Sequence, residues 1–418
     1  MAGLLVDITP LREVPAFRRY FFGQLVSVVG SGLTIVSLRY QAYKLGGDST
    51  FMVSMLALVT LVPLLLSSVI GGSIADAFDR RRVLVVTQIG LGLSSFGLFL
   101  NASRAKPSLI VMFALAAFSS GLVGVDWPTR SSIVPNLVGP KMMQQAITLN
   151  ISVFNIAGIA GPVIAGYLVA HHTPQLFLAD ALSYGASLAA ILSIPSQRPV
   201  GERRTVSFNS IADGFRYLKT QRTIQSTFAA DLGAMIFGLP DALFPAMAEK
   251  VFGHTYWLGY LQAAPAIGAV LGGLFSGWTG RIKRQGRAVI VAIVVWGLGI
   301  ALFGATKSIV VALGGLALAG GADAISAVFR STIVQVEVPE EFRGRLTAVF
   351  ISVVRGGPRL GEFESGVAAR VGGLQFAAFS GGLACIVWIA VVAWRYPELR
   401  AYEKPKLVDE TPLEPSVA

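Results

Sequence analysis

The chain has 418 residues, 54% of them apolar and 14% charged, with a formal net charge of +11. Soluble domains carry about 45–50% apolar and about a quarter charged residues, and this length would make about two or three of them, whose surfaces 34 basic and 23 acidic side chains are too few to coat. A soluble globular protein, a disordered chain and a coiled coil are excluded, and a mean hydropathy of +0.66 leaves an all-α polytopic membrane protein.

A helix needs about 20 mostly apolar residues to cross the hydrocarbon core. That ruler predicts twelve spans: 20–43, 51–75, 83–102, 108–127, 144–169, 175–194, 225–248, 257–279, 288–306, 308–330, 347–369 and 374–395. The first follows Arg12, Glu13, Arg18 and Arg19 and precedes no small-residue cleavage site, so it reads as a retained span and not as a signal peptide. The longest connection divides the chain into 1–194, an N-terminal six-helix bundle; 195–224, a cytoplasmic linker; 225–395, a C-terminal six-helix bundle; and 396–418, a cytoplasmic tail. Within the linker, 207–220 reads as an amphipathic helix with Ile211, Phe215 and Leu218 on one face.

Lys and Arg concentrate in cytoplasmic loops. Of the 34 here, 25 fall on the side of the N-terminus and 6 on the other, while Arg39, Arg355 and Arg359 lie inside spans. Both termini are therefore expected in the cytoplasm, and the protein in the cell (plasma or inner) membrane. The +11 becomes a statement of orientation, with no nucleic acid partner implied. Cys385 is the single cysteine and lies in an apolar run, which allows no internal disulfide and no cysteine metal site. His171, His172 and His254 fall in short polar connections. No metal and no cofactor are expected.

The two halves repeat at a spacing of about 200. Arg130-Ser131-Ser132-Ile133-Val134 recurs as Arg330-Ser331-Thr332-Ile333-Val334. Gly71-Gly72 followed by Arg80, Arg81 and Arg82 recurs as Gly272-Gly273 followed by Arg281, Lys283 and Arg284, and a Gly-Pro pair falls in the fifth span of each half, Gly161-Pro162 and Gly357-Pro358. Internal repeats of this kind suit a binding site near the bilayer midplane that opens alternately to either side.

The loop from Gly72 through Asp76 and Asp79 to Arg80, Arg81 and Arg82 resembles the loop motif of the major facilitator superfamily, with Ala77 where a basic residue is usual and Asp79 where a glycine is usual. The resemblance covers about 17–394. Together with the stretches around 212–218, 243–264 and 339–346 it is similar to the siderophore-exporting and drug-efflux branch. It implies the major facilitator fold and an efflux antiporter. Ala157, Gly161, Pro162 and Gly166 resemble the superfamily's antiporter motif; physically, small residues let helices approach and the proline frees a carbonyl. Asp76 beside Arg80 and Arg81, with Arg130 in a Trp127-Pro128-Thr129 turn next to Asp126, reads as a charge-paired cytoplasmic gate.

Ionisable groups inside spans are costly and face the bundle interior or a wet cavity. Ser352, Arg355, Arg359 and Glu362, spaced 3, 4 and 3, share one helical stripe; they read either as a packing cluster or as a site for an anionic or strongly polar substrate, with Asp241 and Asp323 available to approach them. In the first span Gln24, Ser27, Ser31, Thr34 and Gln41 form a polar stripe read, by the resemblance, as pore lining. Arg39 lies near the outer end, where snorkelling to the headgroups is one reading. Asp231, Asp241, Asp323 and Glu362 are the candidates for proton coupling, and Asp180 is read as structural. The expected function is proton-driven export of an amphipathic small molecule, a siderophore or hydrophobic drug, by a monomer in the lipid bilayer; proton-coupled import of a polar metabolite is the alternative. With no phosphate loop, no nucleophile beside a histidine and no metal cluster, neither an enzyme nor an ATP-driven pump is expected.

Overall fold

The computed structural model describes residues 7–197, 216–338 and 340–403, with Asp76 and residues 340–352 described in backbone only. The amphipathic helix expected over 207–220 falls largely outside them. Ten helical segments among the described residues are long and apolar enough to cross a bilayer. One supplies two spans, and the helix Glu340–Gly372, 33 residues long but more charged, completes twelve.

The spans are α1 Pro15–Leu45, α2 Thr50–Ala77, α3 Arg80–Ala102 and α4 Leu109–Val138. Met143–Leu192 then runs on as helix except at His172, whose φ/ψ of −128°, 27° is non-helical. Pro174 lacks an N–H and crowds the residue before it, so the chain turns there, giving α5 over 143–171 and α6 over 173–192. Their directions are opposite: along α1, Gln24 meets Asn150 and Gly32 meets Gly161, whereas Thr34 meets Asp180 and Gly30 meets Ser183. His171 and His172 thus stand, exposed, at the short reversal that connects the two spans.

In the second half α7 is broken. It runs as Arg222–Phe237, stops at Gly238, and resumes through the short turns Asp241–Leu243, Phe244–Ala246 and Met247–Val251, the last a π-turn. Pro240 and Pro245 cannot donate to the ladder, and the freed Gly238 carbonyl accepts from Trp296 Nε1 at 2.9 Å. The rest are α8 Trp257–Leu274, α9 Gln285–Ala305, α10 Ile309–Glu337, α11 Glu340–Gly372 and α12 Leu374–Arg395.

Two expectations change here. Trp127-Pro128-Thr129 is helix, not a turn, because α4 continues through both Pro128 and Pro135 to Val138. Arg130 and Arg330 consequently lie inside α4 and α10, only 7% and 4% exposed, so they are buried ion-pairing groups and not loop charges.

The two six-helix bundles meet at the end away from the chain termini. The largest apolar cluster joins Leu33, Val36 and Tyr40 of α1 and Ala165 and Val169 of α5 to Leu243, Leu258 and Leu261 of the second half. At the end near the termini, the cluster of Phe17, Tyr20, Leu84, Ile133 and Val153 contains first-half residues only. Gly166 and Gly259 set α5 against α8, a Cβ on Gly166 falling 2.6 Å from the Gly259 nitrogen. Such contacts suit a membrane, where helices associate by close packing.

Within the second half α8 and α10 touch backbone to backbone at Gly268, where a Cβ would collide with the Ala317 carbonyl, whereas Gly273 has open space. Gly268→Val is expected to destabilise by about 1–3 kcal/mol through overpacking, read as a lowered melting temperature in detergent, with Gly273→Val close to wild type.

Candidate translocation site between the two bundles

Arg39 is buried where the bundles meet. Its Nη2 lies 2.8 Å from Glu362 Oε1 on α11 and 3.0 Å from Asp241 Oδ2 in the break of α7, and its Nη1 donates to Gln262 on α8. Gln262 in turn donates to Asp241 at 3.4 Å, and Arg359 Nη1 stands 3.3 Å from Glu362. Two guanidinium groups and two carboxylates balance in charge. The snorkelling reading of Arg39 is thereby corrected: a buried guanidinium goes to buried carboxylates, which it neutralises and which neutralise it. Glu362 takes its nearer cation from Arg39, not from Arg359. Around this core Lys44 Nζ pairs with Glu249 at 2.7 Å, and the hydroxyls of Tyr167 and Tyr260 meet at 2.8 Å.

Arg355, one turn before Arg359, departs from the cluster. It donates to Ser68 Oγ on α2 at 3.2 Å, and its guanidinium sits 5.2 Å from the ring centre of Trp127 on α4. Trp127 also packs on Phe154 of α5 at 4.7 Å, so the indole stands between Arg355 of α11 and α5. Among the described residues no carboxylate lies within ion-pairing distance of Arg355. The Ser352 side chain is outside the described residues.

Asp323 does not approach the α11 stripe. It lies 3.1 Å from Arg330 of its own helix, and Arg330 also pairs with buried Asp231 of α7. In the first half Arg130 pairs instead with Asp126, at 2.5 Å, which accepts from Thr87 at 2.7 Å and Gln88 at 2.9 Å. Arg330 thus ties α10 to α7, whereas in the first half it is Asp126 that ties α4 to α3.

The polar stripe of α1 is also relocated. Gln24 donates to Asn150 at 2.9 Å, Ser31 meets the Tyr184 hydroxyl at 3.0 Å and Thr34 donates to Asp180 at 2.6 Å. These residues bind α1 to α5 and α6 of their own bundle and do not line the space between bundles. Asp180, read as structural, stands at the centre of this packing: Oδ2 accepts from both Thr34 and Ser95 at 2.6 Å, and no cation pairs with it among the described residues.

In the loop before α3, Asp79 caps the helix by accepting from the Arg81 N–H at 2.9 Å and also takes the Ser196 hydroxyl at 2.6 Å and the Gln197 N–H at 3.0 Å. Partial burial alone would raise its pKa, but the Ser196, Gln197 and Arg81 hydrogen bonds outweigh it and hold the carboxyl below the ordinary range. Arg81 is spent on the carbonyls of Ile191 and Leu192, and Arg80 reaches those of Ala75 and Ser132. The loop therefore fastens α3 to the end of α6. The Asp76 side chain, the acid of the expected gate, lies outside the described residues.

A family profile described as transmembrane secretion effector matches residues 6–417. The chain belongs to this family of the major facilitator superfamily. It is 27% identical over 379 residues to the enterobactin exporters of Shigella boydii serotype 4 and Escherichia coli O157:H7, covering 88% of each chain. Its fold matches the nucleoside transporter NupG at 15% identity with a TM-score of 0.73, over 93% of this chain and 99% of that one. A POT family transporter in complex with 5-aminolevulinic acid matches at 13% identity and the same TM-score, over 92% and 97%. The protein is a multi-pass membrane transporter and not an enzyme.

In this transporter the small residues of α5 divide their contacts. Gly161 lies against Gly32 of α1, a Cβ there falling 2.9 Å from the Gly32 Cα, while Gly166 faces Gly259 across the bundles; Ala157 and Pro162 are buried. Two measurements probe the polar groups. Truncating Arg39 leaves Glu362 and Asp241 underneutralised, so Arg39→Ala is expected to cost about 3–5 kcal/mol. A thermal-stability cycle of Arg39→Ala with Glu362→Gln should show coupling, while Arg39→Ala with Asp323→Asn should be additive. For Asp79 the folded pKa is depressed, so its stabilisation is present above the carboxylate range and lost as pH falls through the folded value. The melting-temperature advantage of wild type over Asp79→Asn should be full at pH 7 and shrink below about pH 4.

Proposed function

We propose that this transporter is a proton-driven exporter of an amphipathic small molecule bearing an anionic or strongly polar group, working by alternating access as a monomer in the cell membrane with both termini cytoplasmic. The observation that carries the reading is Arg355, a guanidinium midway along a span, held by a hydroxyl and an indole and unmatched by any carboxylate among the described residues. A cation at that depth is retained where it meets an anion or a wet cavity. Trp127 beside it and Phe154 beyond offer an aromatic wall for the apolar part of the same molecule.

The Arg39 cluster supplies a gate for the cycle. In the described state it closes the end away from the termini, which the basic-residue bias makes the outside. Opening that end separates Arg39 on α1 from Asp241 on α7 and Glu362 on α11, and protons that neutralise either carboxylate make the separation less costly. Protonation of these carboxylates thereby links the opening of this gate to the proton gradient. Similarity to the enterobactin exporters supports the outward direction of substrate movement and a siderophore as one substrate to try.

The test uses everted membrane vesicles loaded with a proton gradient and supplied with enterobactin or lipophilic dyes of either charge. Substrate accumulation that collapses with a protonophore is expected, favouring anionic over cationic compounds. Arg355→Ala is expected to reduce it about tenfold or more, the loss of one charge-assisted contact, at unchanged abundance and melting temperature. Movement in the opposite direction, or equal transport by Arg355→Ala, refutes the reading.

A further inference from the structure

On its outer surface, away from the space between the bundles, the second half carries an apolar groove of about 770 Å³ between α8, α9 and α10. Its floor is largely backbone, because Gly268 and Gly272 of α8 lie directly on Ala317 and Gly321 of α10. Its walls include Leu271, Phe275 and Val291, which are 47%, 73% and 61% exposed. At its end toward the termini stand Arg284, Arg287 and Trp278.

We propose that this groove is a specific binding site for an anionic phospholipid of the leaflet on the side of the termini, an acyl chain lying in the groove and the headgroup phosphate on Arg287 and Arg284. Three observations fix the occupant. The walls belong to membrane-spanning helices, so acyl chains are what meets them. The mouth lies at the start of α9 and the end of α8, headgroup level for this pair of spans, where an indole such as Trp278 is at home. The charge at the mouth is positive: Arg284 shares an exposed pair with Glu403 at 3.2 Å, and Arg287 is exposed with neither ion pair nor hydrogen bond among the described residues. Arginine presents a forked donor that matches phosphate.

The repeated loop of the first half sharpens the contrast. There Asp79 supplies an acid and Arg81 is consumed by the carbonyls of Ile191 and Leu192. The second copy has Arg281, Lys283, Arg284 and Arg287 and no acid between α8 and α9, so among the described residues its cations, apart from the Arg284–Glu403 pair, are not drawn into the packing of the loop itself.

The full-length protein in phosphatidylcholine nanodiscs, doped with a minor fraction of acyl-brominated phosphatidylglycerol or acyl-brominated phosphatidylcholine, gives the test through tryptophan quenching. The part of the quenching absent from Trp278→Phe reports the groove. It should be about threefold or more greater for the brominated anionic lipid than for the brominated zwitterionic one. Arg284→Gln with Arg287→Gln should equalise the two lipids, and Ala288→Phe, which fills the groove and keeps both charges, should lower quenching by both. Equal quenching by the two lipids in the wild-type protein, or a preference that survives the double arginine variant, overturns the proposal. Relief of quenching by the lipophilic cation tetraphenylphosphonium would assign the groove to a transported compound and overturn it as well.

Discussion

A charge taken into a low-dielectric bundle has to be met by its opposite or by dense hydrogen bonding, and the central architecture of this transporter follows from how few partners each charge has. Arg39 is the clearest case. Its helix belongs to the first bundle, and its carboxylates, Asp241 and Glu362, belong to the second. The pairing therefore joins the bundles only when their far ends are together. Contact between those ends and mutual neutralisation of the Arg39, Asp241 and Glu362 charges therefore go together.

The break in α7 is what allows this. A continuous helix would present Asp241 at fixed spacing from Asp231, but Pro240 and Pro245 interrupt the ladder, and the turns between Asp241 and Val251 set Asp241 against Arg39. Asp231, still within the regular part of α7, stays with Arg330 inside its own bundle. Two acids ten positions apart on one span thus serve different ends of the molecule. The same divergence separates the repeats: Arg130 and Arg330 occupy equivalent places, yet one is satisfied by Asp126 four residues earlier and the other by an acid on a different helix. A shared frame thus carries different local partners in the two bundles.

Much of this was legible in the residues. Twelve apolar runs follow from length alone, since a bilayer imposes its thickness on any helix that crosses it, and the repeat of Arg-Ser-x-Ile-Val and Gly-Gly announced two like bundles. Rarity singled out the ionisable residues, so Arg39, Asp241, Arg355, Arg359 and Glu362 were all candidates before any coordinates. Position along a helix does not fix the partner: Arg355 shares a stripe with Glu362 but points to Ser68 and Trp127, and Asp323, expected to approach that stripe from another span, turns to Arg330 of its own helix. The Trp127-Pro128-Thr129 turn is likewise replaced by helix, since in a span Pro128 is carried within α4, where neighbouring helices can satisfy the freed carbonyl.

The sequence by itself determined the class, the number of spans, the internal duplication and a short roll of costly charges, because each depends on composition or periodicity along the chain. Only the tertiary structure decided which charges meet, since the helices that bring Arg39 to Glu362 are 323 residues apart and side-chain pairing across helices leaves no periodic trace. It also decided that the polar face of α1 is turned toward Asp180 and Tyr184 within its bundle, and that Arg355 is left with an indole and a hydroxyl in place of an acid. A stripe on a helix fixes the angle at which its residues project; what stands opposite is settled by packing.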